Sequence, residues 1–181
     1  MLGLHRINSW DRAASLRCNR MNHHFVGEAF AFMSRMGDGW AWFALMAILP
    51  MSYGNKAWSV SLVMLATGAV ATLIYKFIKK TTHRLRPCEE SDGLLLTVAP
   101  LDRFSFPSGH TLHAVCFTVI ACSAYADLRW ALIPFTVLVA ISRLVLGLHY
   151  LSDVLVGAMI GGSLGSVAVM LLDTSGKTAW N

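Results

Sequence analysis

VLVGAMIGGSLGSVAVMLL, residues 154–172, runs for 19 positions without a charged side chain, bracketed by Asp153 and Asp173. As a helix rising ~1.5 Å per residue it is roughly 28 Å long, enough to cross the hydrocarbon of a bilayer. A second run of the same length, AWSVSLVMLATGAVATLIY, occupies residues 57–75. Residues 39–55 carry no charge, and residues 107–126 carry only what His110 and His113 contribute. Trp130 to Ser142 is apolar and continues past Arg143 to Leu148. These runs predict five spans, at about 39–54, 57–78, 108–126, 129–148 and 153–172. The expected fold is all-α, a polytopic transmembrane helical bundle.

Composition agrees. Apolar residues make up 55% of the 181 and charged residues 14%, where a soluble domain carries about 25% charged. Six Trp and nine Phe exclude intrinsic disorder. The net charge of +5 reads as flanking and interfacial charge of a membrane protein, not as a nucleic-acid footprint. Cys18, Cys88, Cys116 and Cys122 fit no zinc spacing and read as small hydrophobes. Cys18 and Cys88 would pair only if both faced an oxidising compartment. The first residues, with Arg6, Asp11 and Arg12, are too polar for a signal-peptide core.

Residues 1–36 differ from the rest. Leu4, Ile7, Trp10 and Ala14 recur at helical spacing with Arg6, Arg12, Arg17 and Arg20 between them, which predicts a helix lying in the membrane interface. Phe25, Ala29, Phe32 and Met33 form a second apolar face, interrupted by Glu28; a sixth span through 24–36 is the alternative, and a short one. The expected organisation is therefore an interfacial segment (1–36), a transmembrane domain (37–173) and a polar tail (174–181). In the last span Gly157, Gly161 and Gly165 recur every fourth residue. Such small residues let a second helix approach closely, either within the bundle or across a homodimer seam.

Alternation of the spans brings the chemistry to one membrane face. That face collects Lys79, the polar 79–106 connection with Arg86, the Pro107-Ser108-Gly109-His110 start of the third span, Arg143, His149 and Asp153. Ionisable groups at membrane depth are costly and point to function. Lys79, Arg86 and Arg143 offer three positive charges, two of them able to grip an oxyanion bidentately. Ser108 and Gly109 at a helix start supply free backbone N–H groups and the positive end of the helix dipole. Asp153, four residues after His149, can hold that imidazole in one tautomer and leave its other nitrogen nucleophilic. His110 supplies a second imidazole for acid work. The set suits phosphoryl transfer. A metal reading through His110, His113 and a carboxylate competes, against the repulsion of three nearby cations.

Lys79 with Arg86-Pro87, then Pro107-Ser108-Gly109-His110, then Ser142-Arg143 with His149 and Asp153, resemble in order and spacing the three signatures of the type 2 phosphatidic acid phosphatase (lipid phosphate phosphatase) superfamily. Gly37-Asp38-Gly39-Trp40 is also similar to that family. The resemblance implies a metal-independent membrane lipid phosphatase without a cofactor. His149 would attack phosphorus, Asp153 would orient it and His110 would protonate the leaving oxygen. Lys79, Arg86, Arg143, Ser108 and the Gly109 amide would bind the phosphate. The expected partners are the bilayer and a lipid phosphate: undecaprenyl pyrophosphate, phosphatidic acid, phosphatidylglycerol phosphate or lipid A. Many bacterial members have six spans, one more than counted here. A non-catalytic phosphate-lipid carrier and a metal-ion transporter are the alternatives. The resemblance places the site on the outward face of a bacterial cytoplasmic (inner) membrane. Against it, nine further cations on the active face and three on the other (Lys56, Arg129, Lys177) point to the cytosol by the positive-inside rule.

Overall fold

The computed structural model describes residues 2–90, 93–100 and 102–174, with side chains from Ser9 to Asp173. Residues 175–181 of the expected tail and the side chains of Leu4, Arg6 and Ile7 lie outside the described residues. Among the described residues eight α-helices follow in order: α1 (Leu2–Asn19), α2 (His24–Met36), α3 (Trp40–Tyr53), α4 (Ala57–Thr82), α5 (Pro87–Glu90), α6 (Gly109–Ala124), α7 (Arg129–Val145) and α8 (Leu151–Thr174). Among the described residues there is no strand, and the fold is an all-α bundle of membrane type.

The helices are inverted relative to a soluble protein. Trp58, Leu62, Leu73 and Phe77 of α4, Trp130 and Ile133 of α7, and Leu155, Met159 and Met170 of α8 all point outward. A water-soluble monomer does not display greasy surface on this scale. Three helices, Ala57–Thr82, Ala126–Val145 and Leu151–Asp173, are long and apolar enough to cross a membrane. Two of the five expected spans are shorter: α3 has 14 residues and α6 has 16.

α6 is the centre of the bundle and packs against α4, α7 and α8. Leu112, Ala114, Cys116, Ile120 and Ala121 are sealed there. Where lipid supplies no hydrophobic drive between helices, polar contacts and close backbone approach hold them together. Thr118 and Thr136 hydroxyls meet at 2.6 Å between α6 and α7, and Ser61 of α4 donates to the Met46 carbonyl of α3 at 2.7 Å. The glycine stripe of α8 faces α6. A Cβ on Gly161 would stand 2.2 Å from the Leu112 carbonyl oxygen, and one on Gly157 would stand 2.6 Å from that of Ser108. Gly157, Gly161 and Gly165 thus pack closely on α6 of the same chain, the first of the two roles expected of them.

The N-terminal helices belong to the bundle. α2 packs on α7 and buries Gly27, Ala31 and Ser34. α1 leaves Trp10 exposed and turns Asp11, Ser15 and Asn19 into the protein. Asp11 and Asn19, which a solvent-facing stripe would show to water, instead make tertiary bonds. Asn19 donates to the Val145 carbonyl at the end of α7 (2.9 Å) and to Leu95 (3.0 Å).

Candidate active site

Four helix ends meet at one end of the bundle. Lys79 lies in the last turn of α4, and Arg84 and Arg86 follow it. A single antiparallel bridge between Leu85 and Phe104 folds the 79–106 connection back, setting Asp102 beside those cations. Gly109 and His110 open α6, and Arg143 sits in the last turn of α7. His149 was expected to close the fourth span. α7 instead ends at Val145, because Gly147 takes a positive φ of +68° that L side chains rarely adopt. The Leu148 and His149 N–H groups then both donate to the Arg143 carbonyl, at 3.1 Å each. The turn thereby fixes His149 against Arg143, and Asp153 follows in the first turn of α8.

These residues surround a cavity of about 600 Å³. One end is polar, with Lys79, Arg86, Gly109, His110, Arg143 and His149 joined by Asp38 and Asp102. The rest is lined mainly by apolar groups, including Trp42, Phe43, Met46, Leu65, Ala69 and Phe117, with Thr72, Tyr75, Lys76 and His113 among them. Six of the eight expected site residues thus line one space. Asp153 and Ser108 stand behind it.

His149 is buried. Its Nε2 lies 3.3 Å from Arg86 Nη1, and its Nδ1 lies 3.5 Å from Asp153 Oδ2. The second contact is within ion-pair reach, yet Nδ1 has no aligned hydrogen-bond partner. Such bonds are commonly long before substrate binds. Burial first, then the charges of Arg143, Arg86 and Lys79, push the His149 imidazole well below its usual pKa. Protonation of the ring is thereby disfavoured, and Nε2 faces the cations of the cavity.

Arg143 is buried and donates to Ser34 Oγ, and its Nε has no hydrogen-bond partner among the described residues. Lys79 donates to both oxygens of Asp102, at 2.8 and 2.9 Å. Arg86 donates to Asp102 Oδ1 at 2.8 Å, to the Asp102 carbonyl at 2.7 Å and to the Leu148 carbonyl at 2.7 Å. Burial opposes ionisation of Asp102, but the hydrogen bonds and charges of Lys79 and Arg86 prevail and hold its carboxyl below the ordinary value. His110 is paired through Nε2 with Asp38. Burial likewise opposes ionisation of Asp38, and the His110 bond and charge, with Arg143 and Arg35, hold its carboxyl below the ordinary value.

One expectation needs correction. The Ser108 N–H is not free: it donates to the Asp153 carbonyl at 3.0 Å, while the hydroxyl stands 3.1 Å from that of Thr111. Ser108 ties α6 to α8, and of the two residues only Gly109 faces the cavity. His110 and His113, the pair of the competing metal reading, turn to different partners. His110 turns to Asp38, whereas His113 lies 2.8 Å from the Gly109 carbonyl and 3.1 Å from Thr72 Oγ1 on α4. Sequence reasoning missed Asp102, Arg84 and Asp11 and met Asp38 only as part of a familiar stretch. Their one sequence signal is that they are carboxylates and a cation near a cationic end.

Residues 56–177 match the family model of the PAP2 superfamily. The chain belongs to the PAP2 superfamily. This PAP2 chain is 31% identical over 140 residues to the decaprenylphosphoryl-5-phosphoribose phosphatase of Mycobacterium tuberculosis, covering 75% of itself and 74% of that protein. It is 29% identical over 171 residues to phosphatidylglycerophosphatase B of Bacillus subtilis, covering 86% and 79%. The crystal structure of the transmembrane PAP2-type phosphatidylglycerolphosphate phosphatase of B. subtilis superposes with a TM-score of 0.79 at 27% identity, over 93% of this chain and 87% of that one. The PAP2 chain is thus a phosphatase of that family, with the helices of a membrane protein.

Proposed function

We propose that this PAP2 protein is an integral membrane lipid phosphatase that cleaves a phosphomonoester or pyrophosphate of a lipid through a phosphohistidine. The observation that carries the reading is the meeting of a buried His149 with Lys79, Arg86 and Arg143 at the polar end of a largely apolar cavity. A lipid tail fits the apolar length and a phosphate fits the cationic end. His149 Nε2 attacks phosphorus and the bond to the lipid oxygen breaks. His110, held by Asp38, acts as the acid that gives that oxygen its proton. Water then attacks the phosphohistidine, His110 takes a proton back, and phosphate leaves. Asp153 stabilises the positive ring through Nδ1. Lys79, Arg86, Arg143 and the Gly109 N–H bind the phosphoryl oxygens, where charge develops. Three cationic side chains supply the charge that a metal would otherwise bring, so the reaction is proposed to need none.

The test is phosphate release by purified protein from undecaprenyl pyrophosphate, phosphatidic acid, phosphatidylglycerol phosphate and lipid A, with a chelator present. Release from at least one of them is expected. Tight binding without release would make the protein a carrier, and loss of release on chelation would remove metal independence. The site is proposed to face outward from a bacterial cytoplasmic membrane. Intact expressing cells should then hydrolyse a water-soluble, short-chain lipid phosphate supplied from outside. A cytosolic site would leave that substrate untouched.

Asp102 holds the cations that the phosphate needs, so substrate must displace or share its carboxylate. At an effective dielectric near 20, a unit charge about 5 Å away is worth up to ~3 kcal/mol. Asp102→Asn is therefore expected to strengthen inhibition by inorganic phosphate about tenfold. Weaker inhibition would mean that Asp102 serves to organise Lys79 and Arg86 instead.

A further inference from the structure

We infer that Arg84 and Asp11 are positioning residues that lock Asp153, so that α1 governs the orientation of the His149 imidazole; this rests on the reading of His149 as nucleophile. Asp153 is fully buried, and each of its carboxylate oxygens is pinned. Arg84 Nη1 donates to Oδ1 at 2.8 Å, and the Tyr150 N–H donates to Oδ2 at 2.8 Å. Only this orientation leaves Oδ2 facing His149 Nδ1. Arg84 in turn is held at several points. Its Nη1 also reaches Ser152 Oγ at 2.6 Å, its Nη2 donates to Asp11 Oδ2 at 2.8 Å, and its guanidinium lies 4.1 Å over the Tyr150 ring. Asp11 comes from α1, outside the segment matched by the family, and its Oδ1 accepts the Ser152 N–H at 3.0 Å.

Geometry separates this role from phosphate binding, since Arg84 and Asp11 do not line the large cavity. Two buried carboxylates share one guanidinium. Asp153 therefore keeps negative charge in excess of what Arg84 neutralises, and that excess is what can stabilise a positive His149. A lysine ammonium carries the same charge but cannot present a planar fork to Asp153 and Asp11 together.

The experiment uses full-length protein labelled with ¹⁵N-histidine in micelles, the His149 signal being assigned by its loss in His149→Gln. In wild type it should show one neutral tautomer, with the proton on Nδ1. In Arg84→Lys and Asp11→Asn it should show exchange between tautomers. In the same variants kcat for lipid phosphate should fall about 10–100-fold, with KM and the inhibition constant of inorganic phosphate within about threefold of wild type. An unchanged tautomer together with unchanged kcat in both variants overturns the inference. So does a fall in kcat matched by a lost melting transition with the tautomer intact. If wild type releases no phosphate from any lipid while the tautomer still responds, the positioning stands and the proposed function falls.

Discussion

His149→Ala is expected to lower phosphate release from a lipid phosphate about 10³-fold or more while the protein stays folded. A covalent step cannot be shared out among the remaining groups: without the imidazole there is no atom to accept the phosphoryl group. Lys79, Arg86 and Arg143 would still gather phosphate, so binding should outlast turnover. The wild-type nitrogen is available because burial and three cations disfavour protonation of the ring. Since His149 is sealed in the protein, alanine leaves a hole, and His149→Gln serves as the better-filled companion. Rapid denaturation after mixing with radiolabelled lipid phosphate should trap an acid-labile, alkali-stable label on wild type and none on either variant. Normal turnover by a folded His149 variant would refute the assigned nucleophile.

The second large effect lies in the seam between α6 and α8. Gly161→Ala places a methyl 2.2 Å from the Leu112 carbonyl oxygen and 3.1 Å from its Cα, all backbone atoms that cannot rotate away. The helices must separate, and overpacking of this kind costs about 1–3 kcal/mol or more. The melting midpoint in detergent should drop by about 5 °C or more, and Gly161→Val should prevent folding. The neighbouring Gly162 provides the contrast. A Cβ there meets Val115 Cγ1 at 3.8 Å, an ordinary contact. Gly162→Ala should be neutral or stabilising, because alanine favours helix over glycine by up to about 1 kcal/mol. Equal melting of the two variants would show that the seam is not limiting. The consequence reaches the site, since Gly157 packs on the Ser108 carbonyl at the start of α6. Widening the seam would move His110 away from His149.

Much of the site was legible because span alternation converts residues far apart in sequence into neighbours at one membrane face. Lys79, Arg86, His110, Arg143 and His149 were placed together on that ground, and they line one cavity. Ser108 misled because an unpaired N–H at a helix start is the default expectation. Here α8 lies close enough for the Asp153 carbonyl to take it.

By itself the sequence determined the class of fold and the chemical character of one end of it. Uncharged runs of bilayer length have few ways to satisfy their backbone other than as helices, and costly polar residues collect where those helices end. Tertiary structure alone decided the partners. Asp102 with Lys79 and Arg86, Asp38 with His110, and Asp11 with Arg84 join residues that no periodicity links. It also decided that the glycine stripe of α8 closes on α6 of the same chain. The physical reason is common to both: a helical pattern fixes which face of a helix a residue occupies, and only the packing of the whole bundle fixes what that face meets.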